Sequence, residues 1–137
     1  MDAFDRILDL EREGLYCAQI MVQLALDAEG KENPDLVQAV RGLCGGFAWS
    51  GGPCGALSGG AMLLAMFDKR KACEEMIPEL TAWFDETYGM EYGSVSCEDI
   101  SAGLRRKRTL CPELIDAVGE KCLALLREYG LYQEETL

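Results

Sequence analysis

The sequence predicts an all-α fold, a single-domain bundle of five or six helices around a central buried helix that carries glycines. Apolar residues recur every three or four positions over most of the chain, which is the period of an amphipathic helix. No segment alternates apolar and polar residues for more than a few positions, so no sheet is predicted. The 137 residues contain no linker or repeat, and we expect residues 1–137 to form one helical domain.

Three helices are predicted before the glycine-rich middle of the chain. Residues 3–13 form a short amphipathic stretch, and residues 15–27 follow with Cys17 among the apolar positions of one helical face. Asn33 and Pro34 predict the start of the third helix, because asparagine caps helices well and proline suits the first helical position.

The central helix is predicted over residues 53–67. Its first residue is proline, and nearly every residue after the glycines is apolar, which is typical of a helix buried on all sides. Residues 69–88 form the next amphipathic helix, which Pro78 should kink or split. A short helix after Ser96 and a last helix from Pro112 complete the predicted bundle.

Composition excludes several classes of function. The net charge of −11 disfavours nucleic acid and anionic membrane surfaces as partners. No apolar run reaches the roughly 18 residues that a membrane-spanning helix needs, and we expect a cytoplasmic protein with no nucleic-acid or membrane partner. Histidine is absent, which excludes a Ser-His-Asp triad, a Cys-His protease and metal or haem ligation by histidine.

The most informative segment is residues 42–60, which hold eight of the fifteen glycines and Cys54. Such density indicates positive φ angles or close backbone approach. Cys54, Cys97 and Cys111 lie at or beside predicted helix starts, and Cys17 lies early in its helix. Helix N-termini favour thiolate over thiol. We therefore predict that these four cysteines react or ligate, and that a solvent-accessible Cys54 is the most reactive.

The chain has seven cysteines, an odd count that argues against a disulfide framework in a cytoplasmic protein. Cys73 and Cys122 occupy core-face positions in the middle of helices, where a cysteine packs as a small apolar residue. Cys44 lies in the glycine-rich segment within possible reach of Cys54, and its role stays open. Trp49 is predicted to pack there or to cover the thiol site.

The cysteine motifs form an ordered set of four. They are Tyr16-Cys17-Ala18-Gln19, Cys54-Gly55-Ala56-Leu57-Ser58-Gly59, Tyr92-Gly93-Ser94-Val95-Ser96-Cys97 and Cys111. This set resembles the C-GCAxxG-C-C family of redox-active proteins. The resemblance implies a small helical domain whose four motif cysteines act together, by redox cycling or by holding a metal or iron–sulfur centre. Cys44 stands where the family pattern has another glycine, and Trp49 where it has a small or basic residue.

Three functions stay open at this point. The first is thiol–disulfide chemistry by the four motif cysteines, with a redox partner protein or a small thiol or disulfide as substrate. The second is an electron carrier in which the same four cysteines ligate an iron–sulfur cluster or another metal. Gly55 and Gly59 would then bind the cofactor, since backbone N–H groups suit cluster sulfides. The third is a helical interaction domain without chemistry.

Overall fold

The computed structural model describes residues 3–103 and 105–133. Within these ranges the protein forms seven helices, one isolated antiparallel bridge between Pro53 and Ser96, and no strand, which confirms the all-α class. The helices are α1 (Ala3–Arg12), α2 (Cys17–Glu29), α3 (Pro34–Val40), α4 (Gly55–Phe67), α5 (residues 69–92), α6 (Cys97–Ser101) and α7 (Lys107–Glu128). No helix in the described part of the chain is long and apolar enough to cross a membrane.

Side-chain caps fix the starts of two short helices as predicted. The Asn33 side chain accepts a hydrogen bond of 3.1 Å from the Leu36 N–H at the start of α3. The Ser96 hydroxyl accepts one of 3.1 Å from the Asp99 N–H at the start of α6. Each cap satisfies an N–H group that has no partner inside the helix. Cys97 is thereby held in the first turn of α6.

Helix α4 packs against α2, α5 and α7, and each of its residues is buried or half-buried. Its glycines permit close contact. A Cβ atom added to Gly59 would lie 2.8 Å from the Ala18 Cα and from the Met21 Cβ of α2. Because such distances are shorter than van der Waals contact, a larger residue at this position would push α2 away.

Helix α5 contains two π-helical turns, Ala72–Met76 and Asp85–Gly89. In the first turn the Ile77 N–H reaches the Ala72 carbonyl, five residues back. Pro78 follows directly, so the wide turn relieves the clash that a proline makes in a regular helix. The fully buried side chains of α5 are Ala72, Met76, Leu80 and Phe84.

The prediction that Cys73 packs in the core is wrong, because its thiol is exposed. The buried residues of α5 follow one another at intervals of four through the wide turn, and Cys73 is not one of them. The helix predicted over residues 69–88 continues to Tyr92. Gly93, with a φ of 95°, then ends it.

Helix α7 begins at Lys107, earlier than the start predicted at Pro112. Its first turn is closed by a hydrogen bond of 2.8 Å from the Leu110 N–H to the Arg106 carbonyl. Pro112 therefore lies inside the helix, where its missing N–H removes one intrahelical bond. Cys111 lies in the second turn of α7, so the prediction that it lies at or beside the start of this helix is wrong.

Candidate functional site

A pocket of about 440 Å³ collects three of the four motif cysteines. Cys17 comes from the first turn of α2, Cys97 from the first turn of α6, and Cys111 from the second turn of α7. The three thiols are half-buried. Segments far apart in sequence thus supply thiols to one cavity, as expected of a site and not of scattered core cysteines.

Cys54 caps the N-terminus of α4 and does not line this pocket. The antiparallel bridge ties it to the segment of Cys97. The Cys54 N–H donates to the Val95 carbonyl at 2.8 Å, and the Cys97 N–H donates to the Gly52 carbonyl at 3.1 Å. Cys54 also interacts electrostatically with the thiols of Cys17, Cys97 and Cys111. The four motif cysteines therefore share one region of the fold.

The sequence predicts that Cys54 is an accessible, activated thiolate, but the structure has a buried thiol there. Only 8% of the residue is exposed, and burial raises its pKa to about 11. The N–H groups of Ala56 and Leu57 oppose this shift without cancelling it. Burial likewise raises the pKa of Cys111 to about 12. At Cys54, the free-energy cost of removing water from the thiolate exceeds the stabilisation that the helix N-terminus gives to the thiolate.

Cys44, and not Cys54, is the thiol with a lowered pKa beside the N–H groups of a helix N-terminus. The pKa of the Cys44 thiol lies below its ordinary value, because the neighbouring Cys17 thiol, the N–H groups of Ala18 and Gln19 at the start of α2 and the Arg41 guanidinium favour the thiolate. The pKa is lowered although the residue is only 1% exposed. The neighbouring Cys44 thiol, and burial, raise the pKa of Cys17.

An unusual turn places Cys44. Residues 45–49 form one turn of left-handed helix, with φ of 70° and 74° at its two glycines and 57°, 55° and 63° at the three residues after them. The Ala48 N–H donates to the Cys44 carbonyl at 2.9 Å. The left-handed form costs a residue other than glycine roughly 1–2 kcal/mol, so packing holds this turn. Trp49, its last residue, lines the pocket.

Aromatic and cationic side chains form one edge of the pocket. The Tyr16 ring meets the Trp49 ring edge-on at 5.8 Å between centroids. The Arg41 guanidinium lies 4.4 Å from the centroid of the Tyr16 ring, and the Lys107 ammonium lies 4.7 Å from it. Arg108 also lines the pocket. Of these three cations, Lys107 and Arg108 line the pocket and give it positive charge in a chain whose net charge is −11.

Ligation of a metal or cluster by the four motif cysteines stays a prediction. Across residues 3–103 and 105–133, no group of three or more Cys, Asp or Glu side chains is arranged to hold a metal ion. Gly55 and Gly59 instead have packing neighbours in α2. A Cβ atom on Gly55 would overlap the Cys17 Sγ, and one on Gly59 would crowd Ala18. Their predicted cofactor binding stays a prediction.

The family model described as "Putative redox-active protein (C_GCAxxG_C_C)" matches residues 15–125. No curated protein and no solved structure shows significant similarity to the chain. The matched segment contains the three thiols of the pocket and Cys54, and it covers most of the 137 residues. The chain therefore belongs to the C_GCAxxG_C_C family.

Proposed function

We propose that this protein carries out thiol–disulfide exchange in the pocket lined by Cys17, Cys97 and Cys111. The observation that carries the proposal is the convergence of three half-buried thiols from separate helices on one cavity. The description of the family as redox-active supports it. No disulfide joins any of the seven cysteines, all of which lie in the described part of the chain.

The reaction needs two protein thiols and a substrate disulfide. One protein thiol attacks a substrate sulfur, forms a mixed disulfide and releases the first substrate thiol, which takes up the proton. A second protein thiol attacks the mixed disulfide and releases the second substrate thiol. The protein is left with an intramolecular disulfide, and the substrate has gained two electrons and two protons. An external dithiol reductant returns the protein to its starting state.

Pocket size and charge support a class of substrate. A volume of about 440 Å³ lies within the range of small-molecule sites, roughly 300–1,000 Å³. Lys107 and Arg108 outnumber the lining carboxylate of Glu11. We propose a small disulfide that carries carboxylates, or an acidic segment of a redox partner protein. A cytoplasmic location would keep the seven thiols reduced.

The test is a single-turnover reaction of reduced, desalted protein with glutathione disulfide, which is small and bears carboxylates. We expect release of about two equivalents of glutathione, because each protein disulfide formed consumes two thiols. The triple variant Cys17→Ser, Cys97→Ser, Cys111→Ser should release less than a tenth of that amount. Cys73→Ser is the matched control, since its thiol is exposed outside the pocket.

Release from the triple variant equal to that from the wild-type protein would rule out the pocket as the site. Iron, sulfide and zinc are measured in protein purified without oxygen. Stoichiometric metal that disappears in the triple variant would replace the proposal with a Cys-ligated centre. Inert thiols without metal would leave a helical interaction domain as the function.

A further inference from the structure

We propose that Cys44 forms a reversible disulfide with Cys17 and is the cysteine that resolves a mixed disulfide on Cys17. This inference rests on the proposed function and adds a residue to it. Cys44 lies outside the four motif cysteines. It would give Cys17 a partner thiol in addition to Cys97 and Cys111 of the pocket.

The packing around Gly55 places the two cysteines together, and each of them shifts the pKa of the other. A Cβ atom added to Gly55 would overlap the Cys17 Sγ and lie 3.3 Å from the Cys44 Cα, so both residues surround the same point. Gly55 has no side chain to separate them. Helix α2 packs against the segment Cys44–Phe47.

Exposure gives the two cysteines different tasks. Cys17 is half-buried and lines the pocket, where it meets a substrate. Cys44 is 1% exposed, while Gly45, the residue after it, lines the pocket. A substrate disulfide therefore reaches Cys17 and not Cys44. Cys44 acts behind it, protected from external reagents until a mixed disulfide has formed next to it.

The surroundings of Cys44 hold its sulfur in place for that attack. The Ala18 and Gln19 N–H groups of the 13-residue helix α2 and the Arg41 guanidinium favour the charged form of the Cys44 sulfur. When Cys44 is protonated, its thiol lies 3.9 Å from the Val40 carbonyl as a weak donor. These contacts stabilise both protonation states of a buried side chain, which is what a cysteine needs if it is to give and accept a proton in one cycle.

The steps balance as follows. Cys17 transfers its proton to the Cys44 sulfur and attacks the substrate disulfide, which forms a Cys17–substrate disulfide and expels one substrate thiolate. That thiolate takes the proton from Cys44 and leaves as a thiol. The Cys44 thiolate attacks the Cys17 sulfur, forms the Cys17–Cys44 disulfide and expels the second substrate thiolate. The substrate is reduced by two electrons, and an external dithiol reductant then reduces the protein disulfide.

The experiment uses the full chain and glutathione disulfide as the probe. Reduced protein is oxidised, quenched with acid, alkylated and digested without reductant, and linked peptides are identified by mass spectrometry. Trypsin alone leaves Cys44 and Cys54 in one peptide, so chymotrypsin is added to cut at Phe47 or Trp49 between them. We expect a Cys17–Cys44 link in most of the oxidised protein.

The variant Cys44→Ser should accumulate glutathione on Cys17 and release the second equivalent at least tenfold more slowly. Cys73→Ser should behave as wild type. The wild-type peptide map needs no variant, so the result stands even if Cys44→Ser folds poorly. A wild-type link from Cys17 to Cys97 or Cys111, with Cys44 alkylated throughout, would overturn this inference and leave the proposed function standing. Absence of glutathione release would overturn both.

Discussion

The Cys122 thiol donates a hydrogen bond to the Gly60 carbonyl oxygen over 3.7 Å and so joins α7 to the glycine-bearing helix α4. Cys122 is fully buried, and it lies away from the pocket. Its role is therefore structural, as the sequence predicts. We therefore expect a substitution at Cys122 to change the stability of the protein and not its thiol reactivity.

Cys122→Ala should destabilise the protein by about 1–3 kcal/mol, because it removes a buried sulfur and leaves a small cavity. Urea unfolding measures this change. Glutathione release in the single-turnover reaction should stay within twofold of wild type. Cys73→Ala, at an exposed thiol, should change the free energy of unfolding by less than about 0.5 kcal/mol. Loss of glutathione release in a stable Cys122→Ala variant would contradict a purely structural role.

Gly55→Ala should separate Cys17 from Cys44. The added methyl group would overlap the Cys17 Sγ, so α2 or its thiol must move. We expect a loss of about 1–3 kcal/mol in stability and at least a fivefold slower formation of the Cys17–Cys44 disulfide. Gly42→Ala is the matched control, because a Cβ atom there meets nothing within 4 Å. Equal rates in the two variants would show that Gly55 does not set the thiol contact.

Trp49→Gly should expose Cys17. The substitution removes the indole that lines the pocket and suits the left-handed φ of 63°. Alkylation of Cys17 by iodoacetamide, followed by mass spectrometry, should be several-fold faster. Phe47→Gly relieves similar backbone strain at φ 57° outside the pocket, so it should leave that rate unchanged. Similar acceleration in both variants would point to loosening of the whole turn.

Burial of Cys54 predicts a loss of stability in alkali. Its folded pKa of about 11 exceeds the ordinary value of about 9, so the unfolded chain loses this proton first as the pH rises. The stabilising contribution is complete below pH 9 and disappears as the pH passes 11. A shift of about two units corresponds to roughly 2–3 kcal/mol.

Urea unfolding at pH 8 and pH 10.5 checks this effect. The difference in unfolding free energy between the two pH values should be smaller in Cys54→Ala than in wild type, by about 1–2 kcal/mol. Cys73→Ala should keep the wild-type difference. An unchanged difference in Cys54→Ala would mean that Cys54 is hydrated in the folded protein.

The helices could be predicted wherever local signals decide them. Asn33 with Pro34, and Ser96, set the starts of α3 and α6 through caps that need only neighbouring residues. Cys73 was misplaced because a wide turn before Pro78 changes the spacing of the buried face, which a regular helical period does not show. The start of α7 was misplaced because the helix tolerates Pro112 in its interior.

The sequence predicts which cysteines line the pocket, but it does not predict the pKa values of the thiols. The motif identifies Cys17, Cys97 and Cys111, and the fold brings them to one pocket. Sequence reasoning ranked Cys54 first because it starts a helix, but burial decides its pKa. Cys44 was left open because its stabilising N–H groups belong to α2, a different helix, and only the tertiary structure shows that contact.

The bridge between Pro53 and Ser96 has a consequence for the order in which the protein assembles. Helix α6 has five residues, too few to be stable alone, because isolated helices shorter than about 12 residues are marginal in water. Helix α6, which brings Cys97 to the pocket, therefore forms only when the bridge between Pro53 and Ser96 has formed. The Cys54 and Cys97 amide protons, held by Val95 and Gly52, are protected from solvent exchange only in that state. Their exchange with deuterium therefore reports when the bridge and α6 separate from the rest of the fold, independently of unfolding of the core.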